Sequence, residues 1–120
     1  YGHSFGHAIE SVTNFAIPHG IGVTMGMDIA NHIAAQRGLL PEAHYRRMHL
    51  VLKRNYADYV ATEILERPMV EALLKDKKNT STRLVLIFPT GDNAAVERVP
   101  VAADDAFRAQ CRAALTALRK

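Results

Sequence analysis

One cysteine, Cys111, stands among 120 residues, so no internal disulfide is possible and a reducing cytoplasm is the simplest compartment. No stretch approaches the roughly eighteen consecutive apolar residues that a membrane-spanning helix needs, so no membrane partner is expected. The chain opens on Tyr1, with neither an initiator methionine nor a basic-then-apolar leader; no signal peptide is in view, and the sequence reads as a piece of a longer protein. A glycine-rich nucleotide loop is missing as well, because Gly20-Ile21-Gly22 lacks the later glycine and a preceding strand. Repeats, linkers and low-complexity segments are also lacking. Charge of one sign is in slight excess only, +3 net with a pI near 9.3. Its densest cluster, Arg46, Arg47, Lys53 and Arg54, has no interleaved aromatic platform, so nucleic acid is not an expected partner. A mildly basic surface suits a small substrate carrying phosphate and carboxylate.

What is present is enough apolar matter for a core. A hydrophobic fraction of 48% argues against disorder, and the length fits a single domain spanning residues 1–120. Phe5, Ile9 and Val12 recur at helical intervals and predict a first helix over residues 2–14. Ile21, Met25, Ile29 and Ile33 predict a second over 19–36, ended by Gly38, with Gly20, Gly22 and Gly26 spaced for close approach to a neighbour or to a ligand site. Tyr45, Met48, Leu52, Tyr56, Tyr59, Val60 and Ile64 trace one face of a third helix running from Pro41 to Glu66. After Pro68, Met69–Leu74 reads as a short fourth helix. Arg83–Phe88 and Val96–Val101 are β-branched and aromatic enough to pair as a hairpin through Pro89–Asn93, with Pro100 confined to an edge or strand end. Asp104 then caps a closing helix with Phe107, Cys111, Leu115 and Leu118 on one face. The expected fold is mainly α: a helical bundle with one small β-hairpin.

Three histidines fall within the first twenty residues: His3, His7 and His19. His3 and His7 are four apart, so on a helix both imidazoles point the same way. His19 lies 16 residues beyond His3; on one straight helix that separation is about 24 Å. Nitrogens sharing a zinc ion sit no more than about 4 Å apart, so a site holding both requires the chain to reverse. Asn14 can end the first helix and Pro18 forces Ile17 out of helical geometry. By spacing alone the natural metal pair is His3 with His7. Glu10, three residues after His7, either orients that imidazole or lies on a solvated helix face. His32, His44 and His49 lack any such framing and read as surface residues.

The run GHSFGHAIE (Gly2 to Glu10), the pair His19-Gly20 and the later Gly26-Met27 resemble the metal-binding signature of the 3-dehydroquinate synthase family of sugar phosphate cyclases. That resemblance implies the helical C-terminal domain of such an enzyme, with the NAD-binding domain not on this chain. It implies His3 and His19 as ligands of a divalent metal, zinc or cobalt, with a third ligand, a glutamate, upstream. It places His7 beside them on the substrate phosphate, as a catalytic group assisting proton transfer; Glu10 joins the candidate catalytic residues through its spacing from His7 alone. Asp76-Lys77-Lys78-Asn79 resembles a family segment whose lysine contacts the phosphate, a role open to Lys77 or Lys78. The implied reaction oxidises a substrate hydroxyl with NAD, eliminates phosphate, returns the hydride and closes a carbocycle. A small phosphorylated sugar acid, a heptulosonate 7-phosphate, is the implied substrate, and a homodimer the implied assembly of the full-length protein.

Two features depart from the family pattern: Ile21 stands where a glutamate commonly follows His-Gly, and the stretch IGVTMGMD (Ile21 to Asp28) is less typical of the common form, whereas Asp76-Lys77-Lys78-Asn79 is retained. A divergent cyclase acting on sedoheptulose 7-phosphate or a hexose phosphate is therefore an alternative. Two further alternatives are a metal-dependent alcohol dehydrogenase and a non-catalytic helical interaction module with its tyrosine-rich third helix facing a partner.

Overall fold

The computed structural model describes residues 1–75, 83–91 and 95–120. Among these residues, five helices and one two-stranded antiparallel sheet follow in the order α1 (His3–Val12), α2 (His19–Gln36), α3 (Glu42–Tyr56), a 3-10 turn (Ala57–Tyr59), α4 (Glu66–Leu74), β1 (Arg83–Thr90), β2 (Ala95–Ala102) and α5 (Asp105–Ala117). The expected class, helical with one hairpin, is the one observed. No helix among the described residues is long and apolar enough to cross a membrane.

The longest helix, α2, is the centre of the molecule: α1, α3, α5 and β1 all pack against it. Met25, Ile29, Ala30, Ile33 and Ala34 are buried on one broad half of the helix, and Asp28 and Asn31 are buried on the other, so burial continues round α2 beyond its apolar face. Around it, Phe5 and Ile9 of α1, Met69, Val70 and Leu73 of α4, and Phe107, Cys111 and Ala114 of α5 complete one core. On α5 it is Ala114 that is buried, while Leu115 is half-buried against the same cluster. Asp104 caps α5 as its sequence position predicts, its Oδ1 accepting from the Phe107 amide at 2.9 Å.

Both long turns close by the same device. After α1, the Phe15 amide reaches Glu10 O (2.8 Å) and the Asn14 amide Ser11 O (3.3 Å); after α2, the Leu39 amide reaches Ala34 O (2.9 Å) and the Gly38 amide Ala35 O (3.1 Å). These are paired C-terminal caps that satisfy the last helical carbonyls. Gly38 takes the required left-handed conformation freely (φ 74°), whereas the first turn puts Asn14 (φ 53°) and Phe15 (φ 61°) there. Asn tolerates that region; Phe does so at a cost, and it is also exposed. Ile17 then turns inward to full burial and Pro18 precedes the first residue of α2.

The third helix is shorter than its periodicity suggests. It ends at Tyr56 and not Glu66, passing through the 3-10 turn into non-helical chain before α4. Tyr59, Val60 and Ile64 still pack on the core from that segment, so apolar residues continuing a helical period serve equally well in a folded-back connection. The chain must bend there because α4 lies against α1 and α5. Glu66, the first residue of α4, accepts from Arg108 (2.9 Å) and Arg112 (2.7 Å) of α5. The fourth helix therefore begins at Glu66, with Pro68 inside its first turn, where a missing amide proton costs nothing.

In the hairpin, Leu84, Leu86 and Phe88 alternate inward from β1, and Val101 does so from β2. Strand β1 runs two residues past the expected Phe88, pairing Pro89 with Val96 and Thr90 with Ala95. Pro100 sits within β2 opposite Val85. A two-stranded sheet consists of edges alone, which is why a proline is accommodated there.

Candidate functional site

The site begins with a helix crossing. Where α1 meets α2, a Cβ on Gly26 would fall 2.7 Å from Gly6 N and closer still to Gly2 O; one on Gly6 would fall 3.0 Å from Val23 Cα. Backbone touches backbone at this crossing, and any side chain would drive the helices apart. Gly20, by contrast, has nothing within 4 Å of where a methyl would stand, so the close approach expected of all three α2 glycines belongs to Gly26 and, less tightly, to Gly22.

That contact sets the positions of the histidines. His3 and His7 project from α1, and His19 is the first residue of α2. The His19 ring lies 5.9 Å from that of His3 and 6.3 Å from that of His7, centre to centre, tilted 58° and 62°. All three are exposed. Two imidazoles sharing a tetrahedral zinc through bonds of about 2.0–2.1 Å bring their ring centres to about 5 Å. The observed spacing of either pair is within reach of that by side-chain rotation. His19 is the member common to both pairs. Among the described residues, no three His, Cys, Asp or Glu side chains gather closely enough to hold a metal by themselves.

Glu10 is buried, which removes the solvated-face reading. It does not orient His7 either. Its Oε1 lies 2.9 Å from Nδ1 of His19, across the α1–α2 crossing. The carboxylate packs against the first turn of α2, its Cγ 3.4 Å from where a Gly22 Cβ would stand, and the positive end of that helix favours its charge. Sequence spacing suggested His7 because both residues lie on one helix; the contact that forms is between helices. Ile21, at the position where the family pattern has a glutamate, is half-buried against the core. Lys77 and Lys78, with Asp76 and Asn79, lie outside the described residues.

A second set of polar groups was not visible as such in the sequence. Asp28 on α2, 2% exposed, accepts through Oδ2 from Nδ1 of His49 (2.6 Å) and from the Tyr56 hydroxyl (2.5 Å) of α3. Tyr45 stacks on His49 with ring centres 5.6 Å apart, and His32 meets Tyr45 edge-on at 5.0 Å. His49 and His32 are thus part of the α2–α3 interface and not surface residues, and His44 is half-buried with an Nδ1 that has no hydrogen-bond partner among the described residues. Burial, reinforced by the Asp28 hydrogen bond and charge, pushes the Tyr56 hydroxyl well up; burial likewise raises Tyr45 to about 12. Burial lowers His32 despite the opposing charge of Asp28. The amide nitrogen of Gln36 donates to His32 Nδ1 (2.7 Å) and to Gln110 O (3.0 Å), so that Nδ1 is the acceptor nitrogen of a neutral ring. A signal existed: His49 falls four residues after Tyr45 and seven before Tyr56, on the apolar face of α3.

Comparison with known proteins bears on both regions. Residues 1–79 match the family described as 3-dehydroquinate synthase C-terminal. The chain is 34% identical over 117 residues to a 3-dehydroquinate synthase of Sulfolobus acidocaldarius, covering 92% of this chain and 33% of that protein. It is 31% identical over 117 residues to one from Sulfurisphaera tokodaii, with the same coverage of 92% and 33%. A Helicobacter pylori 3-dehydroquinate synthase is 36% identical over 97 residues, 78% of this chain and 28% of the relative. The chain therefore spans between 28% and 33% of the length of these three relatives.

Proposed function

Because the chain belongs to the 3-dehydroquinate synthase family, matching its C-terminal domain, we propose that it is the metal- and substrate-binding part of an NAD-dependent, phosphate-eliminating sugar phosphate cyclase of the cytoplasm. The observation that carries this reading is the convergence of His3 and His7 from α1 on His19 from α2, with a buried carboxylate behind His19. That donor set suits a divalent ion of the zinc or cobalt type: neutral imidazoles as ligands, one of them backed by a carboxylate. His3 and His19 would hold the ion, and a further ligand comes from outside this chain.

A divalent ion there supplies Lewis acidity to a substrate hydroxyl and to the carbonyl it becomes. The other tasks fall to side chains. His7 stands exposed beside His19 and, among the described residues, has no carboxylate of its own, which leaves it free to exchange a proton with the departing phosphate. Lys77 or Lys78 would meet that phosphate as a point charge. NAD would be bound by the region of the parent protein that this chain does not include. A heptulosonate 7-phosphate is the leading substrate; Ile21, which removes the familiar glutamate's charge from the first turn of α2, makes sedoheptulose 7-phosphate or a hexose phosphate the alternative.

The test is phosphate release by the full-length parent with NAD and a divalent metal, from 3-deoxy-arabino-heptulosonate 7-phosphate and, separately, sedoheptulose 7-phosphate. Metal- and NAD-dependent release from the first establishes a dehydroquinate synthase; release from the second alone establishes a divergent cyclase. Release from neither, with metal binding intact, overturns the cyclase reading. His3→Ala and His19→Ala are expected to lose metal binding, and His7→Ala to retain more of it while losing turnover. The reverse order, with His7→Ala abolishing metal binding and His19→Ala sparing it, overturns the ligand assignment.

A further inference from the structure

The geometry points to Glu10 as the positioning residue of the site: it fixes the orientation and tautomer of His19, so that Nε2 carries the lone pair and faces outward. The inference rests on the metal reading above and sharpens it, by separating the one imidazole that a carboxylate holds, His19, from the two beside it, His3 and His7.

A carboxylate accepts hydrogen bonds and donates none, so the 2.9 Å contact between Glu10 Oε1 and His19 Nδ1 requires the proton on Nδ1. The lone pair of a neutral ring then lies on Nε2, on the far side of the imidazole. The two members of the pair are placed unequally. The Glu10 side chain is 8% exposed and that of His19 59% exposed, so the carboxylate is the fixed member and the ring is the one being aimed. Burying a carboxylate is costly unless a donor meets it; among the described residues, the donor that meets this side chain is His19.

Glu10 is itself held from several sides. Its carbonyl accepts from the Phe15 amide in the cap that ends α1 (2.8 Å) and from the Thr13 hydroxyl (3.4 Å), and its side chain lies along Gly22. The crossing at Gly26 fixes α1 against α2, and with it the distance from Glu10 to the first residue of α2. The left-handed Phe15, a strained conformation for an aromatic residue, lies in the turn that carries the chain from Glu10 round to His19. A carboxylate behind a ligand histidine raises the basicity of the ring and spares the ion the work of ordering it.

Two readouts on the full-length protein test this. In metal-free protein with 15N-labelled histidine, the His19 signals, assigned by their loss in His19→Ala, are expected to show a protonated Nδ1 and a bare Nε2. In Glu10→Gln, which keeps the size of the side chain and removes its charge, that tautomer preference weakens. Co²⁺ affinity of the same variant, followed by titration, is expected to fall about 10–100-fold, with the unfolding temperature of the metal-free protein little changed. An unaltered Co²⁺ affinity in Glu10→Gln overturns the proposal, as does a protonated Nε2 on His19 in the unsubstituted protein. The tautomer measurement needs no variant at Glu10, so it decides the matter even if Glu10→Gln does not fold. Failure of the unsubstituted protein to bind Co²⁺ overturns the metal reading alone, because the tautomer signal still reports whether Glu10 holds His19.

Discussion

Two neighbourhoods of this molecule use the same chemistry to opposite ends. At the α1–α2 crossing, a buried carboxylate, Glu10, accepts from an imidazole that is largely in water. At the α2–α3 interface, a buried carboxylate, Asp28, accepts from an imidazole that is itself 13% exposed and from a tyrosine hydroxyl that is fully buried. In the first, two further imidazoles stand open beside the pair; in the second, Tyr45 stacks over the ring and His32 closes against Tyr45. An imidazole with one nitrogen on a carboxylate and the other in solvent is aimed at something still to come. One whose neighbours are aromatic rings and a tyrosine hydroxyl is already committed to the interior. Exposure of the ring, and not the carboxylate behind it, separates a site from a structural cluster.

Removing the element that both neighbourhoods share should break them together. Both are built on α2, and its contact with α1 has no room for a methyl at Gly26. Gly26→Ala is expected to cost about 3 kcal/mol or more, since backbone must yield on both helices, and metal binding should be lost with it. Chemical denaturation of the variant beside Gly20→Ala checks this, because Gly20 has open space around it and its replacement should be neutral or mildly stabilising.

The next largest effect should divide the two regions. Tyr56→Phe removes a buried hydrogen bond to Asp28 and is expected to cost about 1.5–3 kcal/mol, the range for a bond to a charged partner. His3→Ala removes an exposed side chain and should change stability by no more than about 0.5 kcal/mol, while abolishing metal binding. Equal losses of stability in the two variants would erase the distinction between the neighbourhoods.

Titration gives the finest test. Tyr45, Tyr56 and Cys111 all have folded values raised by burial, Tyr45 and Cys111 to about 12. Their unfolded values are about 10 for tyrosine and about 8.5 for cysteine. The stability they contribute is whole below about pH 8.5 and falls away as pH rises through about 10 to 12. His32 is shifted the other way: its folded value lies below the unfolded 6.5 or so. Its contribution is whole above about pH 6.5 and is lost as pH falls from there through the folded value. Unfolding curves across pH should therefore lose part of their alkaline limb in Tyr45→Phe and part of their acid limb in His32→Gln.

Much of this was legible locally. The helix starts at His19 and after Asp104, the stop at Gly38 and the pairing of Arg83–Phe88 with Val96–Val101 follow from caps, prolines and short-range periodicity, which act within a few residues. The cluster His3, His7 and His19 was legible too, because its glycine framing and the turn at Asn14–Pro18 are properties of a single stretch of chain. The end of α3 was not, since nothing between Pro41 and Glu66 interrupts a helical pattern. Nor could the partner of Glu10 be found by counting along one helix.

The sequence by itself determined where most helices start, which two segments pair as a hairpin and that three histidines flank one turn, because caps, prolines, turn residues and short-range periodicity are written in contiguous stretches of chain. Tertiary structure decided the rest: that α3 stops at Tyr56, that His49 belongs to Asp28, and that Glu10 serves His19 instead of His7. Each of these is a contact between helices, and its geometry is fixed by how closely two backbones can approach.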